Sequence, residues 1–131
     1  MDLIKATPDK EKAKSILKMI LLIEERIKSQ NKEKMASLII VDYYEIIKEL
    51  ITAVLLLDGY KTLSHIALLD YFKNNYSELS SHEVSILDNL RVLRNRVSYD
   101  GFFIDPDYLK RNELMFIEII KKLKNIVNGG I

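Results

Sequence analysis

This chain lacks cysteine altogether, and glycine and proline are scarce, with four and two in 131 residues. The absence of cysteine excludes a disulfide framework, a thiol nucleophile and thiolate metal sites within this sequence. Because glycine and proline mark the turns between strands, so little of either disfavours a fold of many short strands. The composition therefore favours an all-helical protein.

The chain also lacks a surplus of either charge, since its formal net charge is +1. A protein that binds nucleic acid through many phosphates usually has a basic excess, so any RNA or DNA contact here must be local. Apolar runs such as 38–41 and 53–57 are too short to cross a membrane. Residues 1–14 are polar and lysine-rich, unlike a signal peptide. We therefore expect a cytoplasmic protein with no membrane association.

Hydrophobic residues recur at helical spacing in five segments of the chain. The predicted helices span about 8–29, 32–58, 62–74, 81–99 and 106–127. No internal repeat, linker or low-complexity segment separates them. The sequence therefore predicts one domain over residues 1–131, a single antiparallel up-and-down bundle of about five helices.

Several helix ends have specific signals. Thr7-Pro8-Asp9 predicts an N-cap followed by proline at the first helical position. Gly59 suits the left-handed position that ends a helix, and Ser80 with Glu83 forms the pattern of a capping box. The second helix is apolar on several sides, which is typical of a central helix or of one that also forms an oligomer contact.

The most informative stretch is Arg91–Gly101, where the fourth helix ends. At about 100° per residue, Arg94 falls on the flank of the apolar stripe rather than on the solvent face. Arg91, Asn95 and Ser98 lie on the same side, whereas Arg96 points nearly opposite. This sector is either a solvated helix edge, with arginine stems along apolar neighbours, or a cationic site that has a partner.

Three residues of the preceding helices are candidates to support this sector. Asp42 interrupts the inward stripe of the second helix, where an ionised carboxylate is costly unless it is paired. We predict that Asp42, or failing that Glu45, faces the arginines across the bundle. The alternative is that Asp42 lies at the rim of the core, since the inward side of so apolar a helix is not fixed by the sequence. His65 begins the third helix, where a structural hydrogen bond to a backbone carbonyl is favoured over catalysis. The sequence contains no metal-binding pattern, phosphate loop or nucleophile elbow.

These features resemble the HEPN superfamily, all-helical domains of prokaryotic toxin–antitoxin pairs and other defence systems. The resemblance depends on Leu93-Arg94-Asn95 followed by Gly101, on the stretch from Tyr43 to His65, and on the order and length of the helices. It covers roughly residues 32–127. It implies an RNase that needs no metal or other cofactor and is built at a symmetric dimer interface. In that family an arginine holds the scissile phosphate and a histidine handles the proton of the 2′-hydroxyl or leaving group.

The family motif is Arg-Asn-x-x-x-His, and here Arg94 and Asn95 match it while the histidine position falls on Tyr99. An imidazole transfers protons near neutral pH, whereas an ordinary phenol, with a pKa of about 10, is a poor base there but can donate a hydrogen bond to phosphate. Gly101 stands where some toxins of the family have a tyrosine that a partner nucleotidyltransferase modifies. The resemblance thus implies that phosphate binding is kept and acid–base catalysis is weakened.

We therefore expect an RNA-directed protein of toxin–antitoxin or defence type, a homodimer that pairs through the fourth helix and also, as a further candidate, the second. Its endoribonuclease activity is expected to be slow or lost. The expected site residues are Arg94, Asn95 and Tyr99 for catalysis, Arg91 and Ser98 for binding RNA, and Asp42, Glu45 and His65 in support. One alternative is a non-catalytic module that binds a small nucleotidyltransferase antitoxin, with Arg94 in a structural ion pair. Another is a helical bundle that binds a nucleotide phosphate through the same arginines.

Overall fold

The computed structural model describes residues 2–131, which form a helical bundle with one small strand pair. The helices are α1 Lys10–Lys28, α2 Ala36–Asp58, α3 His65–Asn75, α4 Ser81–Asp100 and α5 Pro106–Gly130. The strands β1 (Ile4–Lys5) and β2 (Tyr60–Lys61) pair antiparallel. The predicted all-α bundle is confirmed. The strand pair was not predicted, because two residues are too few to show the alternation that identifies a strand.

Helix α2 is the centre of the bundle, as its all-round hydrophobicity allowed. Each of the other four helices packs against it. Thirteen of its 23 residues are buried, so its apolar surface is largely covered by the same chain. Leu38 is the one large apolar side chain of α2 that is mostly exposed.

Two of the predicted helix ends are confirmed. The Ser80 hydroxyl accepts a hydrogen bond from the Glu83 amide at 3.1 Å, and the Glu83 carboxylate accepts one from the Ser80 amide at 2.9 Å. Gly59 ends α2 with a φ of +88°, and a Cβ there would lie 3.0 Å from the Ala6 carbonyl oxygen. The Ser80 end is therefore determined by local side-chain hydrogen bonds, and the Gly59 end by a backbone conformation that glycine adopts without strain.

The predicted start of α1 is wrong. Asp9 is the N-cap, and its carboxylate accepts a hydrogen bond from the Lys12 amide at 2.9 Å, so Pro8 lies before the helix. The reason is tertiary, since the Ala6 amide donates to the Gly59 carbonyl and the Asp9 amide donates to the Leu56 carbonyl. These bonds hold the residues before α1 against the end of α2.

Helices α2 and α3 also begin later than predicted. Before α2, the Asn31 side chain accepts hydrogen bonds from the amides of Glu33 and Lys34, which makes a turn where helix was expected. Before α3, residues 60–61 belong to β2, and Ser64 caps the helix through the Ala67 amide. The start of each helix is thus shifted by a local polar side chain.

Candidate functional site

The candidate site lies on the C-terminal half of α4, beyond the last buried residue of that helix, Leu90. Leu93 and Val97 are only half-buried and pack against the edge of the core. The helix ends at Gly101, whose φ of +65° is the left-handed conformation that glycine adopts without strain. The site residues are therefore held on a regular helix at the margin of the core.

Arg94 brings together the residues that match the motif. Its Nη1 donates to the Asn95 Oδ1 at 3.3 Å and to the Tyr99 Oη at 3.2 Å, and its guanidinium carbon is 5.6 Å from the centre of the Tyr99 ring. Its Nε is buried and has no hydrogen-bond partner among residues 2–131. Arg94 thus lies on the flank of the core, as the helical wheel predicted, with its hydrogen bonding incomplete.

Among the described residues, the arginines of α4 have no carboxylate partner. Within residues 2–131, no carboxylate oxygen lies within 4.0 Å of Arg91, Arg94 or Arg96. Arg96 is exposed on the other side of the helix, where its guanidinium carbon lies 3.7 Å from the centre of the Phe102 ring. Arg91 is half-buried and Ser98 is exposed. The positive charge of Arg94 is therefore matched only by neutral oxygens.

The predicted pairing of Asp42 with these arginines is wrong. Asp42 faces α1, where its Oδ2 accepts from the Arg26 Nε at 3.1 Å and its Oδ1 accepts from the Arg26 Nη2 at 2.7 Å. This two-pronged hydrogen bond, together with the charge of Asp42, raises the pKa of Arg26. The sequence misplaced Asp42 because a helix that is apolar nearly all round does not indicate which side faces which neighbour.

Glu45, the second predicted partner, is not ion-paired with an arginine within residues 2–131 either. Its Oε1 accepts a hydrogen bond from Lys48 at 2.8 Å. Its charge nevertheless acts on Tyr44 and His65, as does the charge of Arg94. Glu45 therefore balances part of the positive charge near the site.

His65 binds a side chain rather than the backbone carbonyl expected from the sequence. Its Nδ1 lies 3.0 Å from the Oη of Tyr44, a residue of α2 that is only 1 % exposed. Burial lowers the pKa of His65 below its ordinary value of 6.5, and Lys48 and Arg94 lower it further. Burial raises the pKa of Tyr44 to about 12 although Arg91 and Arg94 act in the opposite direction. Tyr44 was missed as a site residue because nothing in the sequence distinguishes it from core.

A cavity of about 630 Å³ opens beside His65, between α2, β2 and α3. Its polar lining includes Lys12, Lys48 and Lys61, and Leu55 and Leu68 are among its apolar walls. Most of its lining residues lie between residues 48 and 68, and Ile4 and Lys12 join them from the start of the chain. The sequence did not predict this cavity, because it forms only where these segments pack together.

Neither a metal site nor a membrane span emerges from residues 2–131. No three histidine, aspartate or glutamate side chains there are grouped so that they could hold a metal ion. No helix in that part of the chain has both the length and the apolar character that crossing a membrane requires. The side-chain groups described at and near the site are guanidinium, amide, phenol and imidazole.

The chain matches no protein-family model, no curated protein and no solved structure. Its resemblance to the HEPN superfamily consequently stays a prediction from the sequence motif.

Proposed function

We propose that this chain is an RNA-directed, HEPN-like protein of a toxin–antitoxin or defence system, in which Arg94 binds a backbone phosphate. The observation that supports this proposal most strongly is that Arg94 donates only to neutral oxygens and has no carboxylate within reach in residues 2–131. A guanidinium binds phosphate through parallel hydrogen bonds of matching geometry. With a net charge of +1, the contact with RNA would be local rather than spread over the surface.

The neighbours of Arg94 have complementary roles in this proposal. Asn95 and the Tyr99 hydroxyl can donate to phosphate oxygens once RNA replaces their bonds to Arg94. Arg91 adds positive potential, and Ser98 offers a further hydroxyl on the exposed side. Because no histidine occupies the last position of the motif, cleavage at this site is expected to be slow. The resemblance to the HEPN superfamily implies that it needs no metal.

A homodimer through α4 is part of the same proposal. Val92 and Tyr99, seven residues apart, share the outer side of α4 and are 48 % and 73 % exposed, and the nearby Phe103 is 85 % exposed. Aromatic and aliphatic side chains exposed together favour association. Because Tyr99 also contacts Arg94, a second copy on this side would lie beside the Arg94 cluster.

The alternatives differ in what they require of Arg94. A module that only binds a nucleotidyltransferase antitoxin was expected to use Arg94 in a structural ion pair, and the neutral partners of Arg94 count against that role. A nucleotide-binding bundle is favoured by one observation, the lysine-lined cavity beside His65. RNA and mononucleotides should therefore be tested side by side.

The decisive comparison is between Arg94→Ala and Arg96→Ala, which remove the same charge from opposite sides of one helix. Labelled single-stranded and structured RNAs are titrated with each protein in EDTA, and cleavage is followed in the same samples. We expect Arg94→Ala to weaken RNA binding by about tenfold or more, the effect of losing one charged hydrogen-bonding group. Arg96→Ala should change the dissociation constant by less than about twofold.

Other outcomes would contradict the proposal. Equal weakening by both substitutions would mean that Arg94 contributes only general charge. Tight binding of a mononucleotide without RNA binding would support the nucleotide-binding bundle. No RNA effect, with binding of a small nucleotidyltransferase, would support the interaction module.

A further inference from the structure

We propose that the cavity between α2, β2 and α3 binds a soluble phosphate monoester whose organic part is apolar. The cavity is lined by no residue of the Arg94 cluster, so this inference concerns a second site and is independent of the proposed RNA binding. Its volume is about 630 Å³. Pockets of roughly 300–1,000 Å³ hold small organic ligands, so a compound of that class fits within it.

The first support is an excess of positive charge in the lining. Three of the lining residues are lysines, namely Lys12, Lys48 and Lys61, and Glu49 is the one acidic residue among them. Lys48 is already paired, since its Nζ lies 2.8 Å from Glu45 Oε1 and 3.4 Å from Glu49 Oε1. Within residues 2–131, no carboxylate oxygen lies within 4.0 Å of the Nζ of Lys12 or Lys61. Two positive charges are therefore available to a ligand.

These two charges favour a phosphate monoester over a carboxylate. A phosphate monoester carries a charge of about −1.5 to −2 at pH 7, whereas a carboxylate carries a single negative charge. Each lysine ammonium has three N–H donors and binds phosphate as a point charge. Lys12 and Lys61 together therefore match the charge of a phosphate monoester.

Neutral hydrogen-bond donors in the lining are the second support. The Thr62 hydroxyl accepts from the Ser64 amide and the Ser64 hydroxyl accepts from the Ala67 amide, both at 3.1 Å, so each hydroxyl still has its own hydrogen to donate. Burial lowers the pKa of His65, so its ring is neutral at pH 7. The buried Tyr44 hydroxyl has His65 Nδ1 as its one partner within residues 2–131, so it donates to Nδ1 and the ring proton is on Nε2. His65 can therefore donate to a ligand.

The third support is the apolar part of the lining. Leu55, Leu56 and Leu68 are buried core residues that form part of the cavity wall. An aliphatic chain placed against them removes apolar surface from water, which favours binding. The lysines alone would also suit a nucleotide, but a nucleoside has polar groups that leucine side chains cannot hydrogen-bond. The wall therefore favours a ligand with an apolar organic part.

The test is isothermal titration calorimetry of the full chain with octyl phosphate, below the concentration at which it forms micelles. Four compounds are compared with it: octanol lacks the charge, inorganic phosphate lacks the chain, octanoate has one negative charge, and adenosine monophosphate has a polar organic part. We expect octyl phosphate to bind at least about tenfold more tightly than each of them. Equal or tighter binding of any of the four would overturn the proposed ligand class.

Lys61→Gln, with Lys5→Gln as its matched control, locates the site. Lys5 is exposed and pairs with Tyr60, the neighbour of Lys61 on β2, but it does not line the cavity. We expect Lys61→Gln to weaken binding of octyl phosphate by about fivefold or more and Lys5→Gln by less than about twofold. Lys12→Gln should repeat the effect of Lys61→Gln from α1, which keeps the test valid if one variant folds poorly.

Other outcomes would overturn the proposal. Equal weakening by Lys61→Gln and Lys5→Gln would show only a general attraction of charge. If Lys61→Gln weakened RNA binding as much as Arg94→Ala, the lysines would belong to the RNA surface and not to a separate site. The protein should not sediment with vesicles of phosphatidylcholine and phosphatidic acid. Sedimentation that requires Lys61 would identify a lipid headgroup as the ligand instead of a soluble ester. The proposed RNA binding is tested separately by Arg94→Ala.

Discussion

At the scale of single residues, Arg26 and Arg94 differ in how their guanidinium groups are hydrogen-bonded. Arg26 donates two hydrogen bonds to the Asp42 carboxylate, so its charge and its geometry are both satisfied within the protein. Arg94 has the same side chain, but its partners within residues 2–131 are an amide and a phenol oxygen, and its buried Nε–H has none there. Buried donors without partners are rare in folded proteins, which distinguishes Arg94 from Arg26.

Tyr99 stands where the HEPN motif that this sequence resembles has histidine, and the proposed correspondence can be tested by placing histidine there. Tyr99 is exposed and lies within hydrogen-bond distance of Arg94, so Tyr99→His changes a surface residue and should not disturb the core. We expect cleavage of RNA in EDTA to increase by about tenfold or more, because an imidazole transfers protons near neutral pH.

Tyr99→Phe is the matched control for that gain. It removes the phenol hydroxyl without adding an imidazole, so it should not raise cleavage. If Tyr99→His binds RNA normally but cleaves no faster, the groove is not arranged as the motif implies. The assignment of Tyr99 to the histidine position would then be wrong.

At the scale of elements, α4 is anchored at its start and extends away from the core at its end. The buried Glu83 completes the capping box and also accepts a hydrogen bond from Lys122 of α5 at 2.8 Å. Burial raises the pKa of Glu83, but the bonds from Lys122 and Ser80 lower it more, so the net shift is downward. Its stabilising effect is therefore present above pH 4.5 and is lost as the pH falls through its lowered pKa.

Removing the Ser80 cap should destabilise the start of α4. Ser80→Ala deletes the hydroxyl that accepts from the Glu83 amide, and we expect the free energy of unfolding to fall by about 1 kcal/mol. Urea denaturation measures the change. Ser81→Ala, one residue further on and exposed, is the control and should be nearly neutral. Equal losses from both variants would contradict the assignment of Ser80 as the cap.

The sequence predicted some of the helix ends of this fold and missed others. Ser80–Glu83 and Gly59 were predicted because the chemistry of those helix ends is local. The start of α1 was not, because it depends on hydrogen bonds from residues 6 and 9 to the end of α2. Helix starts at Ala36 and His65 were missed because Asn31 and Ser64 form hydrogen bonds that shift them.

In the candidate site too, contacts within one helix could be predicted and contacts between helices could not. Arg94, Asn95 and Tyr99 lie within six residues of one helix, and the long Arg94 side chain reaches the other two, so this cluster can be found from the sequence. The Tyr44–His65 pair joins α2 to α3, and only the packing of those helices reveals it. Asp42 was misplaced for the same reason, since its partner lies on α1.

At the scale of the whole molecule, the bundle covers α2 and leaves the outer side of α4 open. The homodimer, which remains a prediction, should therefore form through α4. The chain has a mass of 15.3 kDa, so light scattering should give twice that value for a dimer. Val92→Glu places a charge in the centre of the predicted contact and should produce monomers.

Leu114→Glu is the control for that substitution. Leu114 lies on α5 and is 80 % exposed, so a charge there should leave the dimer intact. A monomeric unmodified protein would contradict the predicted dimer. A dimer that survives Val92→Glu and dissociates with Leu114→Glu would place the interface on α5 instead.

The central claim is that Arg94 contacts an RNA phosphate, and the salt dependence of binding tests it most directly. The dissociation constant for a single-stranded RNA is measured between about 50 and 200 mM salt for the unmodified protein, Arg94→Ala and Arg96→Ala. Each lost phosphate contact should reduce the slope of log affinity against log salt by about 0.7. We predict that this slope decreases by about 0.7 for Arg94→Ala and stays unchanged for Arg96→Ala. Identical slopes for Arg94→Ala and the unmodified protein would contradict it.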